Sequence, residues 1–303
     1  MRYLVTGAGG FIGSHLAETL LDRGHEVVGV DSFNDYYDPQ LKEENAAALD
    51  VLRLDLAREE LDLGGFDGVF HLAGQPGVRS FGHVFPLYVE RNVLATQRLL
   101  QAAVAAGVRV VLASSSSVYG DAERYPTPED AEPRPLSPYG ITKLTCEHLA
   151  RAYAKSFGLD VVTLRYFTVY GPRQRPDMAF ARILQALQDR EPFEVYGDGS
   201  QSRSFTYVAD AVEATVAAMD AGRGVYNVGG GAEASLLDAI AVAERVSGLT
   251  LDLRTTTAAA GDVRRTAADT ARIGDELGWQ ARTGLEDGLR AQWEWASTRV
   301  GAR

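Results

Sequence analysis

Cysteine is nearly absent, with one residue, Cys146, in a chain of 303. A lone thiol closes no internal disulfide, so the fold needs neither a covalent staple nor an oxidising compartment. Proline (11) and glycine (31) are too few and too scattered for a disordered or collagen-like chain. No uncharged apolar run reaches the roughly 18 residues of a membrane-spanning helix. Met1-Arg2 leads straight into the strand-like Tyr3-Leu4-Val5 without the pattern of an export signal. A soluble, cytoplasmic protein is expected. Basic residues are outnumbered 30 to 41, for a net charge of −11. Such a field repels nucleic acid and anionic membranes, so any anionic ligand must be held by local geometry. The histidines His15, His25, His71, His83 and His148 show no metal-ligand spacing, and no metal is expected. Charge blocks, internal repeats and low-complexity linkers are missing too.

What is present is an average apolar content, 46%, and enough length for one or two domains with a sizeable core. Short β-branched runs alternate with helix-period segments through the first half. The strand-like runs are Tyr3–Thr6, Val27–Val30, Val51–Leu54, Gly68–Leu72, Val108–Ala113 and Val161–Arg165. Helices are expected near Phe11–Arg23, Pro86–Ala106 (with a possible break) and Pro138–Phe157, the last opened by Ser137 as N-cap and Pro138 at its first position. This alternation predicts parallel strands in a doubly wound α/β sheet of the Rossmann type. Beyond Arg165 it loosens into loops, Tyr170–Asp177 and Gly197–Ser204, with helices near Met178–Asp189, Val208–Ala221, Ser235–Ser247 and Leu285–Thr298. A smaller, irregular C-terminal α/β lobe fits that pattern, and Thr255–Ala260 reads as loop. The expected division is residues 1–170, with later contributions near 203–228, and residues 171–303.

Gly7, Gly10 and Gly13 follow the first strand and open the first helix with the spacing G-x-x-G-x-x-G. Glycines there permit a tight strand-to-helix turn and let a pyrophosphate approach the helix N-terminus, whose free N–H groups attract anions. That is the local answer to an acidic protein's difficulty with anions. The second strand ends at Asp31, 24 positions after Gly7, where a carboxylate can accept both hydroxyls of an adenosine ribose. The acid would repel a 2′-phosphate, and Ser32-Phe33-Asn34 brings no arginine to neutralise one. NAD is therefore expected rather than NADP. Asp55-Leu56 and Leu72-Ala73-Gly74 stand at further strand ends along the same ligand path.

Tyr139 and Lys143 are four apart at the start of a helix, so their side chains leave the same face. An ammonium near a phenol stabilises the phenolate and moves the tyrosine toward use as a base. Upstream, the strand ending Leu112-Ala113 delivers Ser114-Ser115-Ser116-Ser117 to the sheet edge where the cofactor should lie. Cys146, on the helix of Tyr139, reads as a packed small side chain.

These segments, together with Tyr166-Phe167, Tyr170-Gly171-Pro172, Gly197-Asp198-Gly199, Arg203-Ser204-Phe205 and Gly261-Asp262-Val263, resemble the extended short-chain dehydrogenase/reductases, specifically the nucleotide-sugar epimerases and dehydratases. The resemblance runs nearly the whole chain. It implies that Tyr139 is the catalytic base, that Lys143 orients the nicotinamide ribose, that Ser115 hydrogen-bonds the reacting hydroxyl, and that Arg203 meets the nucleotide diphosphate. It implies further that Phe11, Ile12, Asn34, Asn92, Ser114, Tyr166 and Val169 contact the cofactor. Arg79, Ser116, Ser117, Thr168, Arg175, Met178 and Asp262 are expected to join Ser115 and Arg203 around the sugar nucleotide in the C-terminal, substrate-binding lobe. By the same resemblance, the helices Pro86–Ala106 and Pro138–Phe157 form a homodimer bundle.

Dehydratases of the family carry an Asp-Glu pair, and decarboxylases a Glu, where this chain has Ser116-Ser117. Without them no group protonates a leaving hydroxyl, and C4 epimerisation through a 4-keto sugar is the reaction left. Asn34-Asp35-Tyr36-Tyr37-Asp38, Gly77-Val78-Arg79 and Phe167-Thr168-Val169 followed by Arg175-Pro176-Asp177-Met178 look like UDP-glucuronate 4-epimerases; UDP-galactose 4-epimerases typically have Asn where Thr168 stands. Arg175 offers a guanidinium for a C5 carboxylate. Many relatives place an arginine just before Gly261-Asp262 to hold the diphosphate, whereas this chain has Ala258-Ala259-Ala260. A neutral-sugar 4-epimerase, a net oxidoreductase and a non-catalytic NAD-binding relative are the competing readings.

Overall fold

The computed structural model describes residues 1–78, 81–257 and 263–300. Its centre is a seven-stranded sheet of β1 (Arg2–Thr6), β2 (Glu26–Asp31), β3 (Asp50–Arg53), β4 (Gly68–His71), β5 (Arg109–Ser115), β6 (Val161–Tyr166) and, from far later in the chain, β10 (Gly224–Val228). The strand order is β10-β6-β5-β4-β1-β2-β3 and every pair in it is parallel. Alternate side chains point to opposite faces. Tyr3 and Val5 enter one core with helices α1 (Phe11–Asp22) and α7 (Val208–Ala221), while Leu4 enters the other with α4 (Ala95–Ala106) and α5 (Pro138–Phe157). The sheet is doubly wound, and its order reverses between β4 and β1, which opens a crevice at the C-terminal strand ends.

Three expectations need correction. The stretch 86–106 is one continuous helical run: α3 (Phe85–Tyr88) passes through a π-helical segment, Val89–Leu94, into α4. The extra residue of a π turn rotates Asn92 inward instead of breaking the helix. The lobe beyond residue 170 also holds more sheet than its loosened pattern suggests. The short strand β7 (Thr168–Tyr170) pairs with β9 (Ser202–Tyr207), so Ser202–Ser204 is strand, not loop. β8 (Phe193–Tyr196) pairs with β12 (Leu253–Thr256), which places Thr255 and Thr256 in a ladder while Ala258–Ala260 lie outside the described residues. β11 (Ala232–Ser235) and β13 (Arg265–Thr266) flank β9. These strands are short and half-exposed, so they carry little hydrophobic alternation to read. With α6 (Ala179–Asp189), α8 (Leu236–Ser247) and α10 (Leu285–Val300) they enclose a third core around Tyr170, Phe180 and Phe205. Two short helices, α2 (Pro39–Asn45) and α9 (Ala271–Leu277), complete the fold.

The helix bearing Tyr139 starts as its sequence dictates. Ser137 Oγ accepts from Gly140 N at 3.1 Å, Pro138 takes the first turn, and Gly158 ends the helix in the left-handed region at φ 69°.

Candidate active site

A cavity of about 750 Å³ lies over the C-terminal ends of the sheet and runs into the second lobe. At one end stands the glycine turn. Gly7, at φ 71°, donates to Val30 O at 2.7 Å, and Gly10 N donates to Gly7 O at 2.9 Å. A Cβ on Gly7 would meet Ala73 N at 2.9 Å, and one on Gly13 would overlap the Gly7 carbonyl. Glycine is therefore needed for the turn to close on itself. Gly10 supplies no side-chain cap, and Gly10, Phe11, Ile12 and Gly13 line the cavity, so the start of α1 suits a pyrophosphate.

Asp31 faces that turn with both oxygens fixed: Oδ1 accepts from Phe33 N at 2.8 Å and Oδ2 from Gly9 N at 3.0 Å. Each oxygen keeps a lone pair toward the cavity that a ribose hydroxyl could fill. Beside it is a group that sequence reasoning passed over. Lys42, on α2, is only 4% exposed, donates to Asn34 O at 2.5 Å and to Asn34 Oδ1 at 3.0 Å, and lies 4.5 Å over the Tyr37 ring. Burial lowers its pKa, and nearby Asp31 works against that. The signal was faint: an Asp38-Pro39 helix start with Lys42 and Asn45 three apart on one face, Asn45 reaching Gly9 O at 3.2 Å.

At the other end of the cofactor path, Tyr139, Lys143, Ser115, Ser116 and Ser117 all line the cavity. Lys143 is 7% exposed and donates to Ala113 O at 2.8 Å, which fixes its ammonium beneath the serine turn. Ser115 Oγ donates to Ser117 Oγ at 3.1 Å and accepts from Ser117 N at 3.2 Å. Ser114 also touches the cavity, but its hydroxyl is turned inward to Glu147 Oε1 at 2.5 Å, and Glu147 is paired with buried Arg165 at 2.7 Å. Tyr119 stacks on that guanidinium and accepts from it at 2.8 Å, tying β6 to the loop behind the serines.

Asp55, Leu56, Leu72, Ala73, Gly74, Asn34, Phe11, Ile12, Tyr166 and Val169 line the walls as expected, as do Thr168, Arg175, Met178 and Arg203. Asn92 does not. It is 1% exposed behind the wall, where Oδ1 accepts from Gln75 N at 2.7 Å and Nδ2 donates to Gln75 O and Thr142 Oγ1 at 3.2 and 3.0 Å. It shapes the 72–77 segment from outside the cavity. Arg79 and Asp262 lie outside the described residues. Arg175 is not a free fork: Nε and Nη2 reach the two oxygens of Asp177, each at 3.0 Å. Its guanidinium sits 6.0 Å from the Tyr36 ring. Burial opposes its charge, but Asp177, with the nearby Tyr36 adding to it, raises its pKa on balance. Tyr36 is pushed up to about 12 by burial and by Asp177. Toward the second lobe, Arg203 donates to Ser202 O at 2.7 Å and Val263 O at 2.6 Å, near Arg182, Phe193, Tyr196 and Gln201 on the same wall. No group of three or more His, Cys, Asp or Glu residues that could hold a metal occurs among the described residues.

Residues 3–229 match the sequence model of the NAD dependent epimerase/dehydratase family. The chain belongs to that family. A Bacillus subtilis (strain 168) protein named uncharacterized UDP-glucose epimerase YtcB is 42% identical, over 95% of this chain and 96% of its own length. The UDP-glucuronate 4-epimerase of Thermodesulfobacterium geofontis is 35% identical, over 98% of this chain and 97% of its own. Among solved structures, the UDP-glucuronic acid 4-epimerase of Bacillus cereus, in complex with UDP-glucuronic acid and NAD, superposes with a TM-score of 0.95 at 40% identity, covering 99% of this chain and 100% of that one. The seven-stranded doubly wound sheet is the family's Rossmann fold.

Proposed function

We propose that this protein is an NAD-dependent nucleotide-sugar 4-epimerase that interconverts UDP-glucuronate and UDP-galacturonate. The observation that carries the reading is a serine turn without carboxylates, Ser114–Ser117, lining the same cavity as Tyr139 and Lys143. The names of the relatives support the substrate class. NAD fits the first lobe: the glycine cradle would take its pyrophosphate, Asp31 with Lys42 its adenosine ribose, and Lys143 its nicotinamide ribose. When bound it supplies a hydride acceptor and returns the hydride, so no net redox change results.

The chain's own groups move the proton and hold the sugar. Tyr139 takes the proton from O4 as the C4–H bond breaks and gives it back when C4 is reduced on the other face. Lys143 holds positive charge near the phenolate, and Ser115 directs the O4 hydroxyl toward Tyr139. No acidic side chain stands in the serine turn to protonate a leaving hydroxyl, so the 4-keto sugar is reduced rather than dehydrated. Ser116, Ser117, Thr168 and Met178 contact the hexose, Arg175 pairs with the C5 carboxylate, and Arg203 meets the diphosphate. Restraint of that carboxylate matters, because it lies β to the ketone and leaves as CO₂ if its bond turns perpendicular to the carbonyl plane.

Incubation with UDP-glucuronate and with UDP-glucose, followed by nucleotide-sugar chromatography, tests the reading. UDP-galacturonate should form with the higher kcat/KM; conversion of UDP-glucose alone would leave a neutral-sugar 4-epimerase. That second reading has a specific observation in its favour, the occupation of Arg175 by Asp177. An absorbance change on mixing with external cofactor would indicate a net oxidoreductase instead.

We assign cofactor binding mainly to residues 1–170 and sugar-nucleotide binding mainly to 171–303. We also propose a homodimer through the helical run 85–106 and α5, whose Val89, Leu94 and Ile141 are 40%, 43% and 49% exposed. Light scattering at micromolar concentration should give twice the chain mass. No helix among the described residues is long and apolar enough to cross a membrane. With its one thiol buried and unpaired, the chain suits the reducing cytoplasm, where we place it.

A further inference from the structure

We propose that Asp177 is a specificity-determining residue: it fills the fork of Arg175 as a stand-in for a substrate carboxylate, and thereby sets how strongly the site prefers a uronate to a neutral hexose. The inference rests on the reading of Arg175 given above. Nε and Nη2 of Arg175 each donate to one oxygen of Asp177 at 3.0 Å, which uses one planar pairing edge of the guanidinium. A sugar carboxylate that needs that edge must take the place of Asp177.

Three features make the exchange easy. The Asp177 side chain is 41% exposed against 22% for Arg175, so the acid is the more hydrated partner and the one released at lower cost. Its Oδ2 also accepts from the Tyr36 hydroxyl at 3.3 Å, which leaves it a second partner when Arg175 turns away. The two residues are two apart on one loop, so side-chain rotation suffices. The fork lines the same cavity as Tyr139 and the serine turn. Paired with it, Asp177 cancels the charge of Arg175, so a neutral hexose meets a neutral wall. A uronate replaces one carboxylate by another and gains only the difference between two similar pairs. The preference is therefore smaller than an unpaired arginine would give.

The test is calorimetric, on NAD-loaded protein carrying Tyr139→Phe so that nothing turns over. Adding Asp177→Asn should tighten UDP-glucuronate binding about threefold to tenfold and leave UDP-glucose within about twofold, as expected for release of a half-exposed pair. With Arg175→Ala also present, the same substitution should move UDP-glucuronate binding by less than about twofold. Unchanged or weaker uronate binding in Asp177→Asn overturns the proposal, because Asp177 would then be aiming Arg175 and not blocking it. Equal tightening with and without Arg175 overturns it as well, since simple removal of a negative charge would explain that result. Turnover by the unmodified protein is measured separately. If UDP-glucuronate is not converted, the epimerase assignment to uronates fails, while the binding ratios still decide the role of Asp177.

Discussion

Tyr139 should be the residue on which turnover depends most. Tyr139→Phe removes one hydroxyl and little contact area, so kcat should fall by orders of magnitude while binding of the nucleotide sugar, read by calorimetry, stays nearly intact. Substantial residual kcat would mean that another group is the base. Arg175 has a different signature. Arg175→Ala should lower the preference for UDP-glucuronate over UDP-glucose in kcat/KM, but by less than the roughly tenfold to hundredfold of an unopposed charge-assisted bidentate contact, because Asp177 competes for the fork. It should also release some CO₂, with reduced cofactor and a pentose nucleotide as the trace seen by chromatography. Both residues were legible in the sequence because their chemistry is local to a motif. The partner of Arg175 was not. Asp177 stands two positions away in plain sight, yet only the folded loop shows that its carboxylate, and not solvent, faces the guanidinium. Lys42 was hidden for a related reason: a lysine in Pro-Gln-Leu-Lys-Glu-Glu-Asn reads as solvated helix surface until Tyr37 and Asn34 close over it.

Among the elements, the first turn and its helix are the most constrained. In Gly13→Ala the added methyl would overlap the carbonyl of Gly7, so the start of α1 must move off the cradle. The purified variant should carry far less NAD than the unmodified protein, measured by chromatography of the supernatant after denaturation. Equal NAD content would show that the turn is not where the pyrophosphate sits. The glycine spacing, the N-cap at Ser137 and the run of six strands before residue 166 could all be read ahead of the structure, because each follows from local sterics or hydrophobic period. The π segment at Val89–Leu94 could not, since its inward-turned Asn92 is held by Gln75 and Thr142 from other parts of the chain. Nor could β8 and β12, whose four-residue ladders depend on each other across some 60 positions.

For the molecule as a whole, acid should be the first stress to tell. His71 ends β4 fully enclosed, with Thr6 Oγ1 at 2.8 Å from one ring nitrogen and Thr96 Oγ1 at 3.0 Å from the other. Burial, with Lys143 adding to it, lowers its pKa to about 3. The folded state thus keeps the ring neutral while the unfolded chain takes up a proton below about 6.5. The stability this group contributes is complete above that value. It is lost as pH falls, at about 1.4 kcal/mol per unit, until the folded ring also titrates near 3. Urea unfolding between pH 7 and 5 should therefore show a shallower pH slope in His71→Asn than in the unmodified protein; equal slopes would place the acid sensitivity elsewhere. The last strand of the central sheet has an effect on how the chain can be made and cut. β10 pairs with β6 but is encoded after α6, β8, β9 and α7, so the chain leaves the first lobe, builds much of the second, and returns. During synthesis β6 waits as an open edge, hydrogen-bonding groups bare, until residue 228 has cleared the ribosome. A gene fragment stopped at residue 170 would leave that edge permanently unpaired and should yield aggregates, not a portable nucleotide-binding module.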